Sequence, residues 1–289
     1  MPIIEPSIRP PSEADSFLLQ VTLGCSSNDC TFCAAYLNKP FAIKDSKEII
    51  KDIEREARHS PDTRRVFLLD GDALAINNEK LLPILKKLDS SFPELARVSS
   101  YANGYNIVKR SDEELRALYE HKVQLVYIGL ESGSQDILSR CRKRSSVNEM
   151  VEAVRKADKA KIKSSVIVLL GLGGRENSAE HVKATAEALN QMQPRYLSFL
   201  SLMVVRGTPL YKQVKAGEFK ELNPSELLKE AYDIISGLKL EKTIFRSNHA
   251  SNYLALAGRF PHDKDVLLDQ LQSALDGETG LRPEFLRGL

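Results

Sequence analysis

The chain of 289 residues is 42% hydrophobic and 28% charged, which provides for one large folded domain and excludes a disordered chain. Its 41 Lys and Arg against 39 Asp and Glu leave a net charge of +2, which argues against the broad basic surface that duplex nucleic acid rewards. No apolar run approaches about 18 residues, and the opening MPIIEPSIRPPSEAD has charges and prolines where a signal peptide has an apolar core; a cytoplasmic protein with no membrane span is expected.

In chain order, strand-like apolar runs alternate with amphipathic helical patterns. Residues 17–24 (FLLQVTLG) read as a first strand that runs into a cysteine-rich loop. A helix follows over DSKEIIKDIEREAR, with Asp45 and Glu48 as a capping box and an apolar stripe at Ile49, Ile50, Ile53 and Ala57. The second unit is RRVFLLDGD with NEKLLPILKKLDSSF. The third is ARVSSYANG with SDEELRALYEHK, capped by Ser111 and Glu114. VQLVYIGLE with VNEMVEAVRKADKA and KIKSSVIVLLGLGG with SAEHVKATAEALNQM make the fourth and fifth. The sixth is RYLSFLSLMVV with PSELLKEAYDIISGLKL, where Asn223 caps and Pro224 takes the first helical position.

Strict alternation implies a parallel sheet with right-handed crossovers, and six units of roughly 35 residues suit an incomplete barrel better than a closed eightfold one. A flat doubly wound sheet is the alternative. In either case the functional edge lies where strands end and helices begin. After residue 240 the pattern breaks into a polar loop, a last helix over about residues 263–274 and a tail. The expected organisation is an extended segment at 1–15, the barrel at 16–240 and an extension at 241–289 that closes or flanks it.

Three of the four cysteines, Cys25, Cys30 and Cys33, fall within nine residues on that edge in a C-x4-C-x2-C pattern. Four cysteines are a poor disulfide framework for a chain this long, whereas thiolates around a metal in a reducing compartment fit. A closed zinc site needs a fourth ligand, and no Cys or His follows before His59. A 4Fe-4S cluster usually takes four thiolates, so three leave one iron open to a small molecule. The bland alternative is three unligated thiols in a core. Cys141 reads as a lone buried thiol.

These residues resemble the radical S-adenosylmethionine (radical SAM) enzymes, whose cysteine loop follows the first strand of a partial (β/α)6 barrel. The resemblance covers residues 17–209. Through GLESGSQDIL and RGTPLY it leans to the branch of oxygen-independent coproporphyrinogen oxidase and the Elongator-type catalytic subunit. It implies a fold of the radical SAM type with a C-terminal extension, a 4Fe-4S cluster on Cys25, Cys30 and Cys33, and SAM chelated at the open iron. One electron then cleaves SAM to methionine and a 5'-deoxyadenosyl radical that takes hydrogen from an organic substrate. An external donor such as flavodoxin or ferredoxin is implied; a membrane or nucleic-acid partner is not. A cluster- and SAM-binding chaperone, as among heme-trafficking relatives, is the alternative function. The family's commoner spacing is C-x3-C-x2-C, and the extra residue here is read as a wider bend.

Further roles are implied position by position. Phe32, before the third cysteine, corresponds to an aromatic residue near the adenine, with core packing as the alternative. Asp70, Gly71 and Asp72 stand where relatives bind the SAM ammonium group, or else form a turn or cap. Glu131 and Ser132 correspond to ribose contacts. Lys143 corresponds to a partner of the SAM carboxylate, unless RCRKR is a solvated loop. Asn103 and Gly171 match further SAM contacts; GLGG lacks the phosphate-loop patterns. Tyr36, Arg206, Asn248 and His249 are the candidates for contact with substrate, the last two from the polar run FRSNHASNY.

Overall fold

Short apolar runs make the strands, and the caps expected from the sequence start the helices, in the computed structural model, which describes residues 3–288. The chain divides into two compact units. One comprises the chain up to Asn28, Cys33–Ile128 and Arg155–Ser164; the other comprises Asp29–Phe32, Gly129–Val154 and the chain from Ser165 onward.

The first unit contains β1 (Phe17–Gln20), β2 (Thr22–Leu23), β3 (Ala42–Ile43), α1 (Ser46–His59), β4 (Arg65–Leu69), α2 (Asn78–Ser91), β5 (Arg97–Tyr101), α3 (Gly104–Val108), α4 (Asp112–Glu120) and most of β6 (Val123–Glu131). Strands β1, β4, β5 and β6 are neighbours in that order and parallel, with Phe17 opposite Val66 and Arg65 opposite Arg97. Val66, Phe67, Leu68 and Leu69 are all buried, as a continuous apolar run must be when a parallel sheet is covered on both faces. Phe67 meets Tyr101 and Tyr127 edge-on at 5.5 and 6.0 Å. Near the start of the chain, buried Glu13 accepts from Arg97 Nη2 and from the Tyr127 hydroxyl (2.6 Å), tying a short 3-10 turn to β5 and β6.

The expected first strand is divided. After Val21 the chain leaves the parallel sheet, and Thr22 and Leu23 pair antiparallel with Ile43 and Ala42. This two-residue ladder closes the base of the segment that carries the cysteines. Asp45 caps α1 by accepting from Lys47 and Glu48 N–H, and Ser111 with Glu114 forms the capping box of α4.

Helices α5 (Gln135–Arg140) and α6 (Val147–Lys159) precede β7 (Lys163–Leu170) and α7 (Gly174–Met192), which is interrupted at Asn177. Then come β8 (Tyr196–Ser201), α8 (Pro209–Lys215), α9 (Pro224–Gly237), β9 (Ile244–Ser247), β10 (Leu256–Arg259) and α10 (Lys264–Leu275). In the second unit the end of β6 is followed across the sheet by β7, β8, β9 and β10; β9 continues the parallel run and β10 returns antiparallel. Phe199, Phe245 and Phe260 stack edge to face behind these strands. The polar loop expected after residue 240 is therefore corrected: β9 and β10 are four-residue strands with alternating burial, too short to stand out in the sequence. Among the described residues no helix is long and apolar enough to cross a membrane.

Candidate functional site

In the first unit, the turn after β4 grips the start of the cysteine segment. Asp70, at φ 69° and fully buried, directs its carboxylate back under that segment: Oδ2 lies 2.7 Å from Lys39 Nζ and accepts from Gly24 N–H (2.9 Å) and Gln20 Nε2 (3.2 Å). Burial pushes this carboxyl above its ordinary range, against the pull of Lys39, Gly24 and Gln20. Lys39 Nζ also donates to the carbonyls of Ile4 and Pro6, so one ammonium gathers the beginning of the chain, the loop and the β4 turn. Gly71 N–H donates to Gly24 O (2.9 Å), and a Cβ on Gly71 would come within 2.6 Å of the Cβ of Cys25. Only glycine permits this approach.

Asp72 is also fully buried. Its Oδ2 accepts from Ser26 Oγ (2.5 Å), Asn103 Nδ2 (2.9 Å) and Asn106 Nδ2 (2.5 Å), and its Oδ1 from Asn103 N–H (3.3 Å). The Tyr105 hydroxyl lies 2.5 Å from Ser26 Oγ, and Asn103 Nδ2 lies 3.8 Å from Cys25 Sγ. Asp72 makes no side-chain cap to the following turn. Its donors come from Ser26 and from the start of α3, so it joins the cysteine segment to the end of β5. Tyr36 is 2% exposed, and its hydroxyl has no hydrogen-bond partner among the described residues. Burial, then the charges of Asp70 and neighbouring groups including Cys25 and Cys33, push that phenol well above its ordinary range.

In the second unit, Thr31 N–H donates to Cys141 O and Thr31 O accepts from Leu210 N–H, both at 3.0 Å. The residues between Cys30 and Cys33 are thus held by the end of α5 and the start of α8, the two places that carry SQDIL and TPLY. Phe32 packs on the cluster of Ile137, Cys141 and Leu172. Cys141 is buried in that cluster, and burial raises its thiol to about 11.

Glu131 ends β6 at φ 61° and pairs with Lys143 Nζ at 3.0 Å, both side chains being mostly buried. Ser132 is buried and hydrogen-bonded to His181 Nδ1 (2.8 Å). Gly171, at φ 83° after β7, donates its N–H to Glu230 Oε1 (2.5 Å). Asn248 and Arg206 are exposed and His249 half-buried. Nδ1 of His249 accepts from Ser251 N–H, and burial and the Arg282 charge lower its pKa. Arg282 Nη1 reaches the carbonyls of His249, Ala250 and Asn252, while Arg287 lies 4.1 Å over the Tyr253 ring and donates to Ser251 O. The polar run is fixed from the chain's last segment.

The structure thus groups Cys25, Cys33, Tyr36, Asp70, Gly71, Asp72 and Asn103 in one unit, and Cys30, Phe32, Glu131, Ser132, Lys143, Gly171, Arg206, Asn248 and His249 in the other. Ser26, Lys39, Asn106, His181, Glu230 and Arg282 were not singled out by the sequence. Their partners lie tens of residues away, and isolated polar residues on helices or loops carry no short-range signal.

The profile of the Radical SAM superfamily matches residues 19–189, more than half of the chain, with the cysteine loop inside the match. The chain belongs to the radical SAM superfamily. Its cofactors are accordingly a 4Fe-4S cluster and SAM, and its fold class is the partial (β/α)6 barrel expected from the sequence. Among curated relatives, the uncharacterized protein MJ0486 of Methanocaldococcus jannaschii is 22% identical over 231 residues, covering 76% of this chain and 70% of that protein. The radical SAM methyltransferase TsrM from Kitasatospora setae superposes with TM-score 0.55 at 17% identity over 68% of this chain and 38% of its own. Elp3 of Methanocaldococcus infernus gives 0.53 at 16% identity over 79% and 58%. Coproporphyrinogen III oxidase (HemN) of Escherichia coli, a radical SAM enzyme, gives 0.53 at 14% over 76% and 50%. The last two stand in the branch named from sequence. The chain spans between 38% and 58% of these solved proteins, and the likeness is one of fold.

The side chains present fit the radical SAM cofactors. None of the four cysteines is in a disulfide; Cys25, Cys30 and Cys33 are partly exposed while Cys141 is buried. No three His, Cys, Asp or Glu side chains among the described residues converge as a single metal ion requires. A cluster takes each thiolate on a different iron, so its ligands need not meet at one point. The bare backbone of Gly71 against Cys25 is the cradle that a bulkier residue would fill.

Proposed function

We propose that this chain is a radical SAM enzyme in which Cys25, Cys30 and Cys33 hold the cluster and whose first chemical step removes a hydrogen atom from an organic substrate. The observation that carries this reading is the difference among the four thiols: Cys25, Cys30 and Cys33 are partly exposed, with Cys25 set against the bare backbone of Gly71, while Cys141 is enclosed by Ile137, Leu172 and Phe32. When bound, the cluster and SAM supply the electron and the carbon-centred radical.

This chain's residues do the positioning. Asp70 and Asp72 direct their carboxylates into the fold, so we assign them to holding the cysteine segment, in place of the direct ammonium contact expected from the sequence. Asn103 directs its amide toward Cys25 Sγ, a donor of the kind that tunes a bound cluster. Glu131, Ser132 and Gly171 present the ends of β6 and β7 to the ribose and adenine, with Phe32 beside the latter. Lys143 serves the SAM carboxylate while paired with Glu131. Tyr36 is enclosed beside the cysteine segment, which makes Arg206, Asn248 and His249 the better substrate contacts. The cytoplasm and a flavodoxin or ferredoxin as electron donor belong to the same proposal.

The test is anaerobic incubation of cluster-loaded protein with SAM, a reductant and fractionated metabolites, with release of 5'-deoxyadenosine as the readout. A fraction that raises release above the uncoupled background supports the enzyme and marks the substrate pool. SAM that binds but is never cleaved points instead to a non-catalytic carrier.

A further inference from the structure

We infer that His181 and Glu230 are positioning residues for the adenosyl half of SAM, holding the two turns that end β6 and β7; the inference rests on the reading that Ser132 and Gly171 meet that half. Both side chains are buried, at 0% and 2% exposure, and both lie in the second unit, His181 on α7 after β7 and Glu230 on α9 after β8, so each comes from beyond the next strand to the turn it holds. Burying an imidazole or a carboxyl without hydrogen bonds costs free energy, whereas burying an apolar side chain of the same volume gains it. Packing alone therefore gives no reason for either.

Their bonds give one. Ser132 Oγ accepts from Ser134 N–H (3.1 Å) and is hydrogen-bonded to His181 Nδ1 at 2.8 Å. His181 Nε2 lies 3.6 Å from Glu230 Oε1 and makes no hydrogen bond among the described residues. Glu230 Oε1 accepts from Gly171 N–H at 2.5 Å, and its Oε2 bonds the hydroxyl of Ser178, next to the interruption of α7 at Asn177. Two buried side chains thus hold the two turns, His181 the one after β6 and Glu230 the one after β7. Both turns need holding. Glu131 and Gly171 have φ of 61° and 83°, outside the extended range, so the strand ladders stop there and cannot fix what comes next. A left-handed Glu131 is strained and persists only where its surroundings over-determine it. His181 on Ser132 and Glu230 on the Gly171 amide supply that determination.

The test measures binding of SAM, 5'-deoxyadenosine and methionine to iron-matched, cluster-loaded protein. His181→Leu and Glu230→Leu keep the bulk and remove the bonds; each is expected to weaken SAM and 5'-deoxyadenosine by about three- to tenfold, the loss of a single buried hydrogen bond, and to leave methionine binding and iron content unchanged. His181→Asn keeps a group that can bond Ser132 from the Nδ1 position, and Glu230→Gln keeps an acceptor for Gly171; both should restore affinity to within about twofold. Should a Leu variant fail to fold, Ser178→Ala removes one bond to Glu230 without burying a new apolar chain and is expected to weaken SAM by about two- to threefold. Wild-type affinity in the folded Leu variants or in Ser178→Ala overturns the inference, as does equal weakening of methionine and nucleoside. Iron-replete wild-type protein that binds no SAM overturns the underlying functional reading, and this one with it.

Discussion

The Cβ that Gly71 lacks would stand 2.6 Å from the Cβ and 2.9 Å from the Sγ of Cys25. The end of β4 and the first cysteine are therefore in contact at a distance that tolerates no side chain. Gly71→Ala forces Cys25 to shift, at a cost of about 1–3 kcal/mol of overpacking. Iron per chain after anaerobic reconstitution should fall well below that of the wild type while the circular dichroism of the fold persists. Full iron in this variant would show that Cys25 does not need the place it occupies.

Asp72→Asn distinguishes a brace from a ligand contact. Three side-chain donors converge on Oδ2 of Asp72, and an asparagine amide set against them leaves donor facing donor. The expected result is loss of about 1–3 kcal/mol of stability together with faster loss of iron, read by thermal unfolding and iron release under anaerobic conditions. Normal stability and iron with weakened SAM binding would return Asp72 to direct contact with the ammonium group.

Much of this architecture is legible in the sequence because it is written locally. The capping pair Ser111 with Glu114 occurs three residues apart, Asn223 stands directly before Pro224, and the buried runs at Val66–Leu69 and Leu125–Ile128 declare themselves by composition. The turn-out after Val21 could not be read, because a two-residue ladder with Ala42 and Ile43 has no periodicity. Helices α3, α5 and α8 span only five to seven residues and escape for the same reason. At the candidate site the cysteines are visible as a pattern, and DGD is visible as an acidic strand end. Its inward orientation is not, since that depends on Lys39, Asn103 and Asn106 arriving from elsewhere in the chain.

Glu230 and His181 give stability a defined pH dependence. Burial raises Glu230 from 4.5 to about 7 and lowers His181 from 6.5 to about 4. A raised carboxyl contributes stability that is complete below pH 4.5 and is lost as pH rises through 7. A lowered imidazole contributes stability present above pH 6.5 and lost as pH falls through 4. Between 4.5 and 6.5 the two slopes oppose each other. Glu230→Gln leaves only the His181 slope, so its apparent melting temperature relative to wild type should climb from pH 5 to pH 8, by roughly 3 kcal/mol of relative stability at most. Parallel profiles for the two proteins would place the Glu230 proton elsewhere.

Arg282 and Arg287 predict the behaviour of the polar run. Arg282 Nη1 is within 3.0 Å of three backbone carbonyls, and the Arg287 fork joins Ser251 O to the Tyr253 hydroxyl across the face of that ring. Arg282→Ala, or Arg287→Lys, which cannot span the fork, should speed amide exchange over residues 248–253 by about tenfold or more without changing residues 97–101. Unchanged exchange over 248–253 would mean that the run is held without the last segment of the chain.

The central claim is that Cys25, Cys30 and Cys33 hold one cluster with an iron open to SAM, and metal content in four single variants tests it most directly. Anaerobically reconstituted wild type should contain about four irons per chain, and SAM should alter the paramagnetic spectrum of the reduced cluster. Alanine at Cys25, Cys30 or Cys33 should abolish normal assembly; Cys141→Ala, which removes a thiol packed against Ile137 and Leu172, should leave iron and the SAM response intact. Equal loss of iron in all four variants, or wild-type protein that takes up stoichiometric zinc and no iron in the absence of oxygen, would contradict the account.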